Sequence, residues 1–303
     1  MATTVLGLKT FAASDPVDYN EINDNYNKID SGVKTALQGR AAHNLLDNSD
    51  FRHPVNQRGQ SVYQFDSGYT IDRWKLHWSG DGSITIHDGY IGLYRETNNV
   101  YLFQFPANVE KMVGKTYTVA AKVRYNGYIG WIDSTQRTHC NPVHSYDWVI
   151  VTHTFTVGSA TSDIGPAAVE ICSSANLSIE LQWIALYEGS YTADTLPAYQ
   201  PKGYAAELAE CQRYYYAVEK ELFFVAWADN NGCLDYTVLL PQTMRAIPTV
   251  TFDKLQYIDE SGYVSFTNSP YYTGRDRVAI RKLGLTLNKA YGLTMKFSAS
   301  ADL

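Results

Sequence analysis

Apolar and aromatic residues recur at Tyr19, Ile22, Tyr26, Ile29, Val33 and Ala36, in steps of three and four. That is the a/d spacing of a coiled-coil helix. The pattern predicts a helix from Ser14 to Leu37. Ser14 or Asp15 caps it, Pro16 suits the first helical position, Asp18 and Glu21 complement the positive end of the dipole, and Gly39 ends it. The other faces carry Asn20, Asn23, Asn25, Asn27, Lys28 and Asp30. A helix of roughly 30 Å at 1.5 Å per residue, rich in poorly helical Asn, is marginal alone in water, so its stripe needs a partner. Ile at one seam position and Tyr at the other favour three strands, hence a homotrimer with Tyr19, Ile22, Tyr26, Ile29, Val33 and Ala36 as its seam. The alternative is that the stripe packs on the chain's own β units.

From Asn44 to Pro201 the period changes to two, with Gly, Asn and Asp at the breaks. Ser83–His87 alternates before the turn Asp88-Gly89, and Thr116–Val123, Trp148–Val157 and Leu177–Tyr187 alternate similarly. Short strands without an intervening helical window predict a β-sandwich or jelly roll. The two prolines of Leu196–Pro201 read as a stiff boundary. A second helix is expected over Tyr204–Glu221, with Glu207, Glu210, Arg213 and Lys220 exposed. After it, strands are expected at Phe223–Ala228, Leu234–Leu240, Thr249–Phe252, Tyr263–Phe266, Val278–Ile280, Leu285–Leu287 and Leu293–Phe297. The fold expected is mainly β. Residues 1–43 form an attachment and trimerisation helix, 44–201 a jelly-roll sandwich, 202–222 a linking helix and 223–303 a small β tip.

Composition narrows the function classes. Charged residues make up only 18% and hydrophobic residues 45%, which excludes a disordered chain. A net charge of −6 argues against nucleic acid or an anionic membrane surface as partner. Tyr contributes 24 residues, and its apolar ring with a polar tip suits binding surfaces as well as strands. Cys140, Cys172, Cys211 and Cys233 lack disulfide-framework or C-x-x-C spacing. Met1–Lys9 lacks the pattern of a secretory leader and no apolar run is long enough to span a bilayer, so folding in a cytoplasm without membrane insertion is expected.

Three segments carry a family resemblance. The first is Asn44–Phe51 with Val55–Gly59 and Tyr69–Trp74. It resembles the opening of the jelly-roll module in bacteriophage and prophage tail proteins. Glu207–Tyr215 resembles the "E-L-x-x-C-Q-R-Y" element of the same group, and Leu240–Val250 is similar to its "P-x-x-M-R-x-x-P-T" signature. The resemblance implies a trimeric tail fibre or receptor-binding protein. Such a protein sits in the virion tail, attaches through its N-terminus to the tail or baseplate, and recognises a bacterial surface polysaccharide. Read physically, Arg58, Arg73 and Arg213 beside aromatics suit buried or interface arginines, and Cys211 a small core residue.

No catalytic constellation stands out. His139-Cys140 with His144 and His153 has irregular spacing for a metal, and P-loop, G-x-S-x-G and dinucleotide motifs are missing. No cofactor, metal or catalytic residue is therefore expected. A glycan-cleaving tail enzyme would need a carboxylate pair, for which Glu96, Glu110, Asp133 and Asp147 are candidates, and a purely structural tail component is a further alternative. Non-catalytic binding is favoured, because Tyr and Trp stack on sugar C–H faces while polar groups bond hydroxyls. Two segments match. In Arg124–Asp133, glycines interrupt Tyr125, Tyr128 and Trp131 and lift them into a loop; Asn268–Asp276 supplies Tyr271, Tyr272, Arg275 and Asp276. The alternative for both is packing against the chain's own sheet or a neighbouring subunit.

Overall fold

The computed structural model describes residue 8 and residues 18–38, 43–64, 68–78, 82–95, 100–173, 178–265 and 272–302, with the side chains at 31 and 34–38 left out. The expected cap at Ser14 or Asp15, Pro16, the Ala36 side chain and Tyr271 all lie outside the described residues.

Helix α1 spans Tyr19–Gln38. Asp18 caps it, its Oδ1 accepting the Asn20 amide at 2.8 Å and its carbonyl accepting the Ile22 amide. Lys28 pairs with Asp24 one turn earlier, on the polar side. Within the single chain Tyr19, Tyr26 and Val33 are 76%, 67% and 50% exposed, so the chain's own β units leave that stripe uncovered.

The first β unit contains β1 (Val62–Gln64), β2 (Lys75–Trp78), β3 (Gly82–His87), β4 (Tyr90–Arg95), β5 (Val100–Gln104) and β6 (Thr116–Asp133). It continues through β7 (Gln136–His139), β8 (Val143–Thr156), β9 (Thr161–Ser162), β10 (Gly165–Pro166), β11 (Ala168–Ser173) and β12 (Ile179–Glu188). A ten-stranded antiparallel sheet runs β1-β3-β4-β12-β6-β11-β5-β2, with β7 and β8 also paired to β6. The long strand β6 belongs to both halves. Thr116–Val123 pairs with β8 and β12, and Gly127–Asp133 with β7 and β11. Between them the register shifts at Val123/Tyr125, and Tyr125 takes a φ of 68°. A bulge of this kind bends a strand, and the sheet curls around it into a β-sandwich. Its core draws Ile84, Ile91, Leu93 and Leu181 from one half and Leu102, Ile129, Val169 and Ile171 from the other.

The C-terminal unit contains β13 (Tyr215–Ala217), β14 (Leu222–Trp227), β15 (Leu234–Leu239), β16 (Thr249–Asp259), β17 (Gly262–Ser265), β18 (Tyr272–Thr273), β19 (Arg277–Lys282) and β20 (Ala290–Ser300). A five-stranded sheet centred on β20 and a three-stranded sheet β15-β19-β18 enclose a core that includes Met244, Leu255, Val278, Ile280, Leu293, Met295 and Phe297. The expected strand Leu285–Leu287 is a loop instead. The Leu285 amide bonds the Gly232 carbonyl and the Thr286 amide the Tyr291 hydroxyl, so both serve a turn and not a ladder.

The second helix, α2, is shorter than its periodicity suggests, covering Tyr204–Cys211 alone. Tyr215–Ala217, expected to be helical, pairs with Ser298–Ser300 of β20. Successive aromatics fit a pleated surface better than a helix interior, and tertiary pairing decides the outcome. Glu207, expected in water, is buried: its carboxylate accepts the Asn48 amide and lies 3.8 Å from Lys202 Nζ.

All three family-like segments meet where the two units join. Asn48 bonds Val55 both ways and the Asp72 carbonyl, and Trp74 Nε1 bonds the Asn48 carbonyl. Arg58 divides its guanidinium between Asp72 (2.9 Å) and Asp302 (2.6 Å) and lies 3.8 Å over the Tyr215 ring. Arg73, held at φ 73°, pairs with Asp47, bonds the Phe105 carbonyl and stacks on Tyr214. The Arg245 amide bonds the Arg213 carbonyl, and the Met244 and Arg275 backbones are joined by a 2.7 Å bond. These motifs therefore encode the joint.

Candidate functional site

Strand alternation on β4, β6 and β12 sends Ile91, Leu93, Val123 and Leu181 into the core and turns Tyr90, Tyr94, Arg124 and Glu180 to the opposite face. The bulge of β8 opposite Arg124 adds Tyr146 and Trp148. The Arg124 guanidinium carbon lies 5.2 Å from the Tyr90 ring, 4.7 Å from Trp148 and 5.0 Å from Tyr125. Tyr90 and Trp148 meet edge to face at 5.9 Å, as do Tyr125 and Tyr146 at 6.0 Å. Arg124 Nε donates to Glu180 Oε2 at 2.5 Å. Burial opposes the Arg124 charge, but the Glu180 bond, the Glu180 charge and the neighbouring Tyr125 and Tyr90 together outweigh it and raise the guanidinium above its ordinary value.

The edge of this platform is also ordered. His87 stacks on Tyr90 at 4.6 Å, and its Nε2 lies 3.0 Å from the Tyr94 hydroxyl. The Tyr94 ring lies across Gly92, where a Cβ would come within 2.5 Å of it, so a side chain there would push the ring aside. Burial raises the Tyr94 phenol above its ordinary range. The face thus presents half-buried rings and a guanidinium that, among the described residues, uses only its Nε in a hydrogen bond, which are the elements that grip a flat polyhydroxylated molecule.

The segment Arg124–Asp133 is a strand throughout, so its glycines do not lift aromatics into a loop. They allow close strand approach: a Cβ on Gly127 would lie 2.3 Å from the Cys172 carbonyl, and one on Gly130 2.2 Å from the Thr138 carbonyl. Its three aromatics therefore part company. Tyr125 joins the platform. Tyr128 faces outward on the other half of the sandwich, stacked on His139 at 4.2 Å. Trp131 is 0% exposed, stacked on Phe155 at 4.8 Å in the core, and is not a ligand contact.

In the C-terminal unit Tyr272 is exposed on β18. Arg275 donates to the Met244 carbonyl at 2.6 Å, and Asp276 pairs with Arg277. Burial raises Asp133, but accepted bonds outweigh it and hold the carboxyl well below the ordinary range. The donors are the Trp131 indole, the Thr135 hydroxyl, and the Thr135, Gln136 and Gly158 amides, making Asp133 a turn anchor. Glu96 lies outside the described residues. Cys140 is buried with the Ile129 amide on its sulfur, and His144 bonds Asn126. No group of three or more His, Cys, Asp or Glu at metal-binding spacing occurs among the described residues.

Sequence reasoning missed Tyr90, Trp148 and Glu180. Each sits in an alternating stretch, but only the pairing of β4, β12, β6 and β8 brings them together. The sequence matches no family model and no curated protein. Among solved structures the chain is similar to the N-terminal cellulose-binding domain of β-1,4-glucanase C from Cellulomonas fimi, at 14% identity over 39% of this chain and 90% of that one, with a TM-score of 0.29. A CBM4 structure gives 16% identity over 47% and 99%, with a TM-score of 0.30. A family 29 carbohydrate-binding module gives 12% over 45% and 92%, with a TM-score of 0.28. Overlaps this low carry no argument about the site.

Proposed function

We propose that this chain is a non-catalytic glycan-binding protein of a bacteriophage or prophage tail fibre, which attaches the particle to a bacterial surface polysaccharide. The observation that carries the glycan reading is the arrangement of Tyr90, Tyr125 and Trp148 around the Arg124–Glu180 pair. The rings offer flat apolar faces to pyranose C–H groups, and the charged pair offers donors and acceptors to hydroxyls. An open site of this kind is individually weak.

A homotrimer makes weak sites effective, because linked contacts raise avidity without any new interaction. The exposed stripe of α1 at Tyr19, Tyr26, Ile29 and Val33 supports that assembly, with the N-terminus as the attachment to the tail or baseplate. The tail reading is supported by the three family-like segments, which converge on one joint.

The test is a glycan array probed with the full chain and with Trp148→Ala, beside a reducing-end assay on each bound polysaccharide. Array signal lost in the variant, with no new reducing ends over time, is the expected result. Equal signal from both proteins contradicts the platform, and steady release of reducing ends contradicts the non-catalytic part.

A further inference from the structure

Between the two β units lies a second cavity, of about 290 Å³, away from the aromatic platform. Three arginines, Arg73, Arg213 and Arg245, are among its lining residues, with Glu110 as the one acidic residue there. Such a concentration of positive charge is unusual in a chain of net charge −6.

The three arginines differ in how far they are satisfied. Arg73 is held by Asp47 at 3.2 Å and by the Phe105 carbonyl at 3.0 Å. Arg213 is exposed and pairs with Glu210 at 3.1 Å. Arg245 makes one side-chain bond, from Nη1 to the Ala301 carbonyl at 3.2 Å, and lies 5.5 Å from the Tyr214 ring. Among the described residues no carboxylate lies within ion-pair distance of it. A guanidinium fork is matched by a carboxylate or phosphate, which accepts two parallel bonds. The Tyr214 ring, fixed by Arg73, gives the cavity an aromatic wall, and its volume lies at the lower end of small-molecule sites.

We infer that this cavity is a binding site for an oxyanion group carried on a sugar, a carboxylate or a phosphate, with Arg245 as its principal ligand and Arg213 as a second cation. The sugar part rests on the glycan reading, whereas the oxyanion part stands on the arginines alone. The site lets the protein prefer acidic surface polymers, complementing the uncharged recognition of the platform.

Isothermal titration of the full chain at low salt, using glucuronate, glucose 6-phosphate, glucose and inorganic phosphate, tests this. Glucuronate or glucose 6-phosphate should bind while glucose does not, and the stronger of the two identifies the acid. Arg245→Gln should weaken binding at least tenfold and Arg213→Gln severalfold. Glu110→Gln should strengthen it, an effect that a purely structural role for the arginines does not produce. Trp148→Ala should leave it unchanged, which separates this site from the platform. Equal binding of glucose, or wild-type affinity in both arginine variants with unchanged unfolding temperature, overturns the site. Inorganic phosphate bound as tightly as glucose 6-phosphate overturns its assignment to a sugar.

Discussion

The guanidinium of Arg73 lies 3.5 Å from the centroid of the Tyr214 ring, and Arg245 approaches the same ring at 5.5 Å. The ring belongs to the segment after α2, Arg73 to the first β unit and Arg245 to the second, so one phenol ties three parts of the chain together. The joint is thereby a specified packing contact and not a loose tether. Tyr214→Ala removes this buried ring and should cost about 3–5 kcal/mol, the range for large aromatic-to-alanine changes. Urea unfolding followed by circular dichroism measures it; a loss below 1 kcal/mol would mean the joint tolerates an empty centre.

At the same joint, burial pushes the Asp72 carboxyl up to about 6, although the Arg58 ion pair and two Gln57 bonds favour its charge. Asp302, on the other arm of Arg58, is raised by burial as well. An acid whose folded pKa lies above its unfolded value takes up more protons when folded, so stability falls as pH rises between the two values. For Asp72 the window runs from about 4 to 6, with a slope of at most about 1.4 kcal/mol per pH unit. Asp72→Asn should flatten the dependence of unfolding free energy on pH in that window. An unchanged slope would show that Asp72 is ionised throughout.

Gly130 sits where β6 and β7 approach too closely for a side chain, a Cβ there lying 2.2 Å from the Thr138 carbonyl. Backbone cannot move aside as a flexible side chain can. Gly130→Ala should therefore destabilise the first unit by about 1–3 kcal/mol, typical of overpacking. Thermal unfolding indistinguishable from wild type would mean that β7 detaches freely.

Why some of this was legible in the sequence and some was not has physical reasons. The α1 stripe, the alternation of β3 and β12, and the β-rich C-terminal unit all follow from local period, which one segment reveals by itself. The end of α2 does not, because Tyr215 and Val218 fit a helical spacing until β20 offers them a ladder. Tyr125, Tyr128 and Trp131 are spaced by three, which looks like one recognition loop; period two and a bulge send them to three environments instead. The platform needed residues from four strands, and long-range register is not written in any one of them.

The mass of the full chain in solution checks the helical seam. Light scattering should give three times the 34.0 kDa of one chain. A version starting at Asn44, or Ile22→Asp combined with Ile29→Asp, should give a smaller or weaker assembly. A monomer for the full chain would leave the exposed stripe of α1 without a function and the avidity argument without a basis.

The central claim is that the Tyr90–Arg124–Trp148 face grips a glycan. Its most direct test is the affinity of the full chain for an array-positive neutral polysaccharide, compared with Trp148→Ala by titration. Because Trp148 lies on the face turned away from the core, the account predicts at least a tenfold loss of affinity with the unfolding temperature preserved. Undiminished affinity in a folded variant would contradict it and leave the Arg124 cage as an internal brace for the bulge of β8.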